Sequence, residues 1–113
     1  MTETIEWSDF EQVHMCVGTV VSAEPFGKAR KPAYILNVDF GPGVGVKKSS
    51  AQITDLYSLD NLVGKQVVGV VNFPNKQIGP IMSECLITGF VKSDGSVVLA
   101  VPDQAVANGT RLA

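Results

Sequence analysis

Ala33-Tyr34-Ile35-Leu36-Asn37-Val38-Asp39-Phe40 is the stretch on which the fold turns. Tyr34, Leu36, Val38 and Phe40 alternate with Ala33, Ile35, Asn37 and Asp39, the period of two that a β-strand shows when one face lies on a core. Chain breakers bound it on both sides. Upstream, Pro25 to Pro32 holds two prolines, a glycine and the bases Lys28, Arg30 and Lys31; downstream comes Gly41-Pro42-Gly43. Proline cannot donate to a ladder and glycine accepts unusual dihedrals, so both segments read as loops.

Working outward, Cys16 to Ala23 reads as a first strand ended by Glu24-Pro25. Before it, Ser8-Asp9-Phe10-Glu11 fits a capping box, which predicts a short helix from about Ser8 to His14 with Trp7 and Phe10 as its apolar anchor. Val44 to Gln52 forms a third strand. Ile53, Leu56, Tyr57 and Leu59 are spaced as one or two helical turns before Gly64-Lys65. Gln66 to Asn72 is a continuous apolar strand, and Phe73 to Pro80 a second loop. Glu84 to Phe90 is the fifth strand, and Ser93-Asp94-Gly95 signals a hairpin into Val97 to Val101. The expected fold is therefore all-β: a five-stranded OB-fold barrel with a short helix between strands 3 and 4, an N-terminal helix and a C-terminal hairpin extension. The 113 residues fit one domain, 1–113, with its core from about residue 8.

Composition narrows the function. No signal sequence or apolar run long enough to span a bilayer is legible, so a soluble, cytoplasmic protein without membrane insertion is expected. Cys16 and Cys85 read as reduced, buried small residues. The single histidine, His14, excludes a histidine-rich metal site. His14 and Cys16 would share a strand face, but no third group orients them; His14 reads as a helix–strand junction and Cys16 as core filler. Gly41 to Gly45 lacks the Lys-Ser/Thr ending of a phosphate-binding loop. No enzyme, cofactor or metal is expected.

Binding fits better. Net charge is −2, yet four of the eleven acids (Glu3, Glu6, Asp9, Glu11) lie in the first eleven residues, and the remainder carries nine bases against seven acids. In an OB barrel the second and third strands and the flanking loops build the ligand face. Those elements hold Lys28, Arg30, Lys31, Lys47, Lys48 and Lys76, a cluster that suits a phosphate backbone. Asn37, Ser49, Ser50, Gln52 and Gln77 add hydrogen-bonding groups, whereas stacking platforms are few: Phe26, Tyr34 and Phe73. The segment Asn72 to Glu84 is a loop with Phe73, Ile78, Ile81 and Met82 among turn residues. It either folds back on the barrel or offers an apolar surface to extended polypeptide or a partner subunit.

Val71-Asn72-Phe73-Pro74-x-Lys76-x-Ile78, followed by Met82-Ser83-Glu84, resembles the signature of the tRNA-binding domain family, OB modules found alone or fused to aminoacyl-tRNA synthetases. Phe10-x-x-Val13 with Val17-Gly18-x-Val20, Val38-Asp39-Phe40-Gly41, and Pro102-Asp103 with Asn108-Gly109-Thr110 extend the likeness over nearly the whole chain. Lys47-Lys48-Ser49-Ser50-Ala51-Gln52-Ile53-Thr54 is similar to the CsaA-type export-chaperone branch. The resemblance implies a homodimer that binds unfolded or precursor polypeptide through Phe73, Ile78 and Met82. The alternative it implies is a structure-specific tRNA module using Lys28, Arg30, Lys31, Lys47, Lys48, Lys76, Ser83 and Glu84. Two departures bear on tRNA. His14-Met15-Cys16 stands where the family usually has Asp-x-Arg, and Cys85-Leu86 where tRNA-binding members continue Gly-Met.

Overall fold

The computed structural model describes residues 2–113. In chain order the elements are α1 (Trp7–Glu11), β1 (Met15–Pro25), β2 (Tyr34–Asp39), β3 (Val46–Ala51), α2 (Leu59–Leu62), β4 (Gln66–Val70), β5 (Lys76–Ile78), β6 (Ile81–Ser83), β7 (Leu86–Ile87), β8 (Gly89–Val91) and β9 (Val97–Leu99). The main sheet runs β3-β2-β1-β4-β7, all antiparallel, and two ribbons, β5-β6 and β8-β9, project from it. This is the expected all-β, OB-like barrel with its short helix between β3 and β4.

β1 makes the barrel possible because it serves two neighbours. Its first half, Met15 to Thr19, pairs with β4, and its second half, Thr19 to Pro25, pairs with β2. A bulge between Val20 and Ser22 bends it between the two partners, as an unpaired extra residue does. The tail covers the edge that β2 leaves free: Val17 N–H donates to the Thr110 carbonyl at 3.0 Å, Gly109 N–H to the Val17 carbonyl at 2.7 Å, and Leu112 N–H to the Met15 carbonyl at 2.9 Å. Leu36, Val38 and Phe40 enter the core with Cys16, Val20, Ile53, Leu62, Val67, Cys85 and Leu99. Each such side chain contributes about 1.5–3 kcal/mol when fully buried.

Several boundaries differ from expectation. The capping box is built two residues earlier and from acids: Glu6 is the N-cap, and Glu6 N–H donates to Asp9 Oδ2 at 2.9 Å. The helix accordingly ends at Glu11 instead of His14, and Trp7 does not anchor it, being 83% exposed. Between β3 and β4 only Leu59–Leu62 is helical; Ile53 packs in the core from the irregular stretch just after β3. The segment 73–80 is no plain loop, because Lys76–Ile78 pairs with Ile81–Ser83 about Gly79-Pro80. The fifth strand is split into β7 and β8, since Thr88 turns its N–H and hydroxyl to the Val68 carbonyl, at 3.0 and 2.8 Å. The last strand stops at Leu99. The hairpin before it turns on Asp94, whose carboxylate accepts from Ser96 N–H at 2.9 Å and Ser96 Oγ at 2.6 Å. Those side-chain and backbone bonds lower its pKa.

Gly69 of β4 faces the Phe40 ring so closely that an added Cβ would lie 2.7 Å from Cζ, and Phe40 is itself 1% exposed. Gly69→Ala is expected to cost about 1–3 kcal/mol by overpacking. Thermal unfolding followed by circular dichroism should show a fall of ~4–8 °C per kcal/mol lost.

Candidate binding face

Three elements meet on one flank of the barrel. The first is the loop 26–33, drawn closed by Phe26 N–H to the Ala33 carbonyl at 3.1 Å and Ala29 N–H to the Phe26 carbonyl at 3.2 Å. Its apolar residues turn in: Phe26 and Ala33 are buried with Ile35 in a second, small cluster outside the barrel core. Lys28, Arg30 and Lys31 are left exposed at its surface. The second element is the β5-β6 ribbon, which lies over that loop. Ile78 and Ile81 pack on the same small cluster, and the space beside Gly79 is bounded by the Phe26 ring and the Lys28 carbonyl. The third is β3, the neighbour of β6.

The register of β3 sorts its side chains. Directly opposed residues of an antiparallel pair share a face. Lys47 is opposite Val38 and Ser49 opposite Leu36, so both lie on the core side; Lys48 is opposite Asn37 and Ser50 opposite Ile35, on the outer side. The six bases therefore do not form one array. Lys28, Arg30, Lys31 and Lys48 lie on the flank, and Lys76 joins them from the ribbon. Lys47 enters from the inner side and is close enough to Cys85 to act on its charge. Ser49, expected as a surface hydrogen-bonding group, is buried, with its hydroxyl directed to the Ser50 carbonyl. Asn37 Nδ2 donates to Ser22 Oγ at 2.9 Å, and Gln77 Nε2 closes over the ribbon turn onto the Gly79 and Ile81 carbonyls.

The apolar trio also divides. Met82 is opposite Gln77 and Ile78 opposite Ile81, so Ile78 and Met82 point to opposite faces of the ribbon. Ile78 folds back on the barrel, while Phe73 and Met82 remain 53% and 43% exposed. Of the three aromatic platforms, Phe26 is buried and Tyr34 packs on the core, its hydroxyl donating to the Tyr57 carbonyl at 2.8 Å; Phe73 stays at the surface.

Two residues that the sequence marked only by motif have a clear structural task. Asn72 Nδ2 donates to the Gln12 carbonyl at 2.7 Å and its Oδ1 accepts from His14 N–H at 2.9 Å, tying the α1–β1 linker to the end of β4. Glu84 closes the barrel. Its N–H donates to the Lys48 carbonyl at 2.7 Å, and its Oε1 accepts from Lys48 N–H at 2.9 Å. Ser83 Oγ donates to the Cys85 carbonyl at 3.3 Å.

A separate open cleft of about 450 Å³ lies between α1 and the tail, lined by Trp7, Phe10, Glu11, Arg111, Leu112 and Ala113. Arg111 there donates from Nη2 to the Glu11 carbonyl at 2.5 Å. Among the described residues no group of three or more His, Cys, Asp and Glu is placed to hold a metal, and no helix is long and apolar enough to cross a membrane. Both cysteines are free and buried. Burial raises the Cys16 thiol against a smaller opposing effect of Arg111. Burial likewise pushes Cys85 up to about 12, outweighing its hydrogen bond with Ser49.

Such a thiol is a poor nucleophile. At pH 8 an alkylating reagent should leave Cys16 and Cys85 unmodified in the native protein and label both in urea, read by mass spectrometry. The Cys85 proton is held more tightly in the folded than in the unfolded chain, whose thiol titrates near 9.0. Its contribution to stability is thus complete below pH 9 and lost as pH rises toward 12. Replacing it, Cys85→Ala, should flatten the fall of the urea midpoint over that range.

Comparison with known proteins places this architecture. A family model described as "Putative tRNA binding domain" matches residues 15–111. A crystal structure of chaperone CsaA from Bacillus anthracis superposes with a TM-score of 0.92 at 43% identity, covering 98% of this chain and 100% of that one. CsaA from Picrophilus torridus gives 0.90 at 42%, covering 97% and 100%. A methionine–tRNA ligase of Porphyromonas gingivalis is 32% identical over 99% of this chain, which spans only 16% of the ligase.

Proposed function

Given that this chain belongs to the tRNA-binding domain family, we propose that it is a non-catalytic binding module of the CsaA chaperone kind, which holds unfolded or precursor polypeptides in the cytoplasm ahead of export. One observation carries this: the correspondence with two CsaA chaperones at 42–43% identity, which covers 97–98% of this chain and 100% of theirs, where the chain spans only 16% of a matching ligase. The flank built by the loop 26–33, β3 and the β5-β6 ribbon supports the reading. Phe73 and Met82 give exposed apolar contact, and the surrounding lysines steer acidic or polar segments of a client. Ile78 supports the ribbon from below.

The chain works as a homodimer in this reading. Phe90, Val91 and Val98 leave the β8-β9 ribbon with exposed apolar side chains, and a bare strand edge of that kind calls for a cover. Sedimentation at micromolar concentration should give twice the chain mass; a monomer would remove the dimer.

A second reading is favoured by the family model and the ligase relatives: the same flank binds tRNA by its backbone, through Lys28, Arg30, Lys31, Lys48 and Lys76, with Lys47 and Ser83 at its inner margin. The two readings separate in one titration of the protein against an unfolded apolar-rich polypeptide and against tRNA, each at several salt concentrations. Chaperone action gives polypeptide binding with little salt dependence, weakened by Phe73→Ser and Met82→Ser. Backbone recognition of tRNA gives log affinity falling steeply with log salt, and Lys48→Ala lowers that slope by about 1. Binding of tRNA alone would overturn the chaperone reading.

A further inference from the structure

Glu84 is out of place among contacts for a polyanion. A carboxylate beside a phosphate backbone repels it, yet Glu84 sits in the seam between β3 and the ribbon, on the flank that carries the bases. The seam gives its reason. Its backbone N–H and its carboxylate grip the carbonyl and the N–H of one residue, Lys48, at 2.7 and 2.9 Å. Glu84 follows Ser83 at the end of β6, and Ser83 is directly opposite Lys76. One short path, Lys76 to Ser83 to Glu84 to Lys48, therefore connects the two lysines that come from different elements.

We propose that Glu84 is a positioning residue for the basic flank: by clamping both polar groups of the Lys48 peptide it fixes the ribbon against β3, and so sets the spacing of Lys48 and Lys76 for neighbouring phosphates of a bound RNA. The proposal rests on the tRNA reading above. It assigns Glu84 no contact with the ligand. The side chain does what a sheet partner would do at this point, supplying an acceptor to the strand-edge N–H of Lys48. Without the carboxylate, the ribbon keeps one backbone bond to β3, from the residue 84 N–H to the Lys48 carbonyl, and the apolar packing of Ile78 and Ile81 on Phe26, Ala33 and Ile35; a single bond and non-directional contact leave it free to twist.

Electrostatics and positioning predict opposite signs, which makes the test sharp. If Glu84 acts on RNA only as a charge, Glu84→Ala removes repulsion and tightens binding. If it positions, Glu84→Ala weakens tRNA binding several-fold and lowers the salt slope by about 1 as a phosphate contact is lost. Glu84→Gln, which keeps an acceptor for Lys48 N–H without the charge, then restores most of the affinity. Glu84→Ala combined with Lys48→Ala should cost little more than either alone. Should the alanine variant fail to fold, Glu84→Asp serves in its place, keeping the charge and shortening the reach, and is expected to bind more weakly. A Glu84→Ala or Glu84→Asp protein that folds and binds tRNA as tightly as the parent overturns the proposal. If the parent does not bind tRNA, the tRNA reading fails by itself, and amide hydrogen exchange decides the positioning. Faster exchange in the β5-β6 ribbon of the alanine or aspartate variant, recovered in Glu84→Gln, supports it; unchanged exchange overturns it.

Discussion

The barrel closes around Phe40, and it can do so because two residues beside the ring have no side chain. A Cβ on Gly18 would lie 2.7 Å from Phe40 Cδ1 and one on Gly69 2.7 Å from Cζ. Gly18 is on β1 and Gly69 on β4, paired strands whose backbones must come this near for β1 to bend from β4 to β2. Close packing of the interior makes such vacancies specific to one ring in one position. The rest follows from that bend: β2 and β3 continue one side of the barrel, β4 and β7 the other, and the tail takes the edge left over. Gly41, at φ 89°, turns the chain after Phe40 and brings Asn108 alongside.

Side-chain amides and one carboxylate then do the work of missing strand neighbours. Asn72 joins the helix–strand linker to β4, Asn108 Oδ1 accepts from Thr19 Oγ1 at 2.8 Å and from Gln66 Nε2 at 3.3 Å, and Glu84 closes the seam with Lys48. An orphaned backbone or amide group costs more than its hydrogen bond gains, so each of these residues is constrained by what it satisfies. The family motif thus carries architecture at Asn72 and Glu84, while the exposed Phe73, Lys76 and Met82 and the half-buried Lys48 beside them are the ones free to meet a partner.

That division explains why one flank is compatible with two kinds of ligand. The apolar residues needed to hold the loop 26–33 and the ribbon in place, Phe26, Ile35, Ile78 and Ile81, are turned inward. What remains outside is a mixture of flexible cations and two exposed apolar side chains. Lysine is a mobile point charge that accepts many geometries, and methionine an adaptable apolar surface. Their arrangement, not their identity, sets what fits.

The alternation of Tyr34 to Phe40, the breakers on either side of it and the burial of Val67 to Val70 were legible in the sequence, because a period of two and a proline have local causes. The succession of strands along the chain, a helix between β3 and β4 and the basic character of the loop 26–33 were read from the same local signals. Tertiary structure alone decided the rest. Loop 73–80 became a ribbon because Phe26 and Ile35 offered Ile78 and Ile81 a surface, a contact between residues more than forty positions apart. Lys47 and Lys48 had to part, as adjacent residues of a strand do, but which of them turns inward was decided by the register of β3 against β2, with Val38 and Asn37 as their partners. Trp7 stayed outside because the Glu6–Asp9 cap started the helix earlier. The role of Glu84 lay hidden for the same reason: its partner is the backbone of Lys48, and a backbone group has no letter in the sequence.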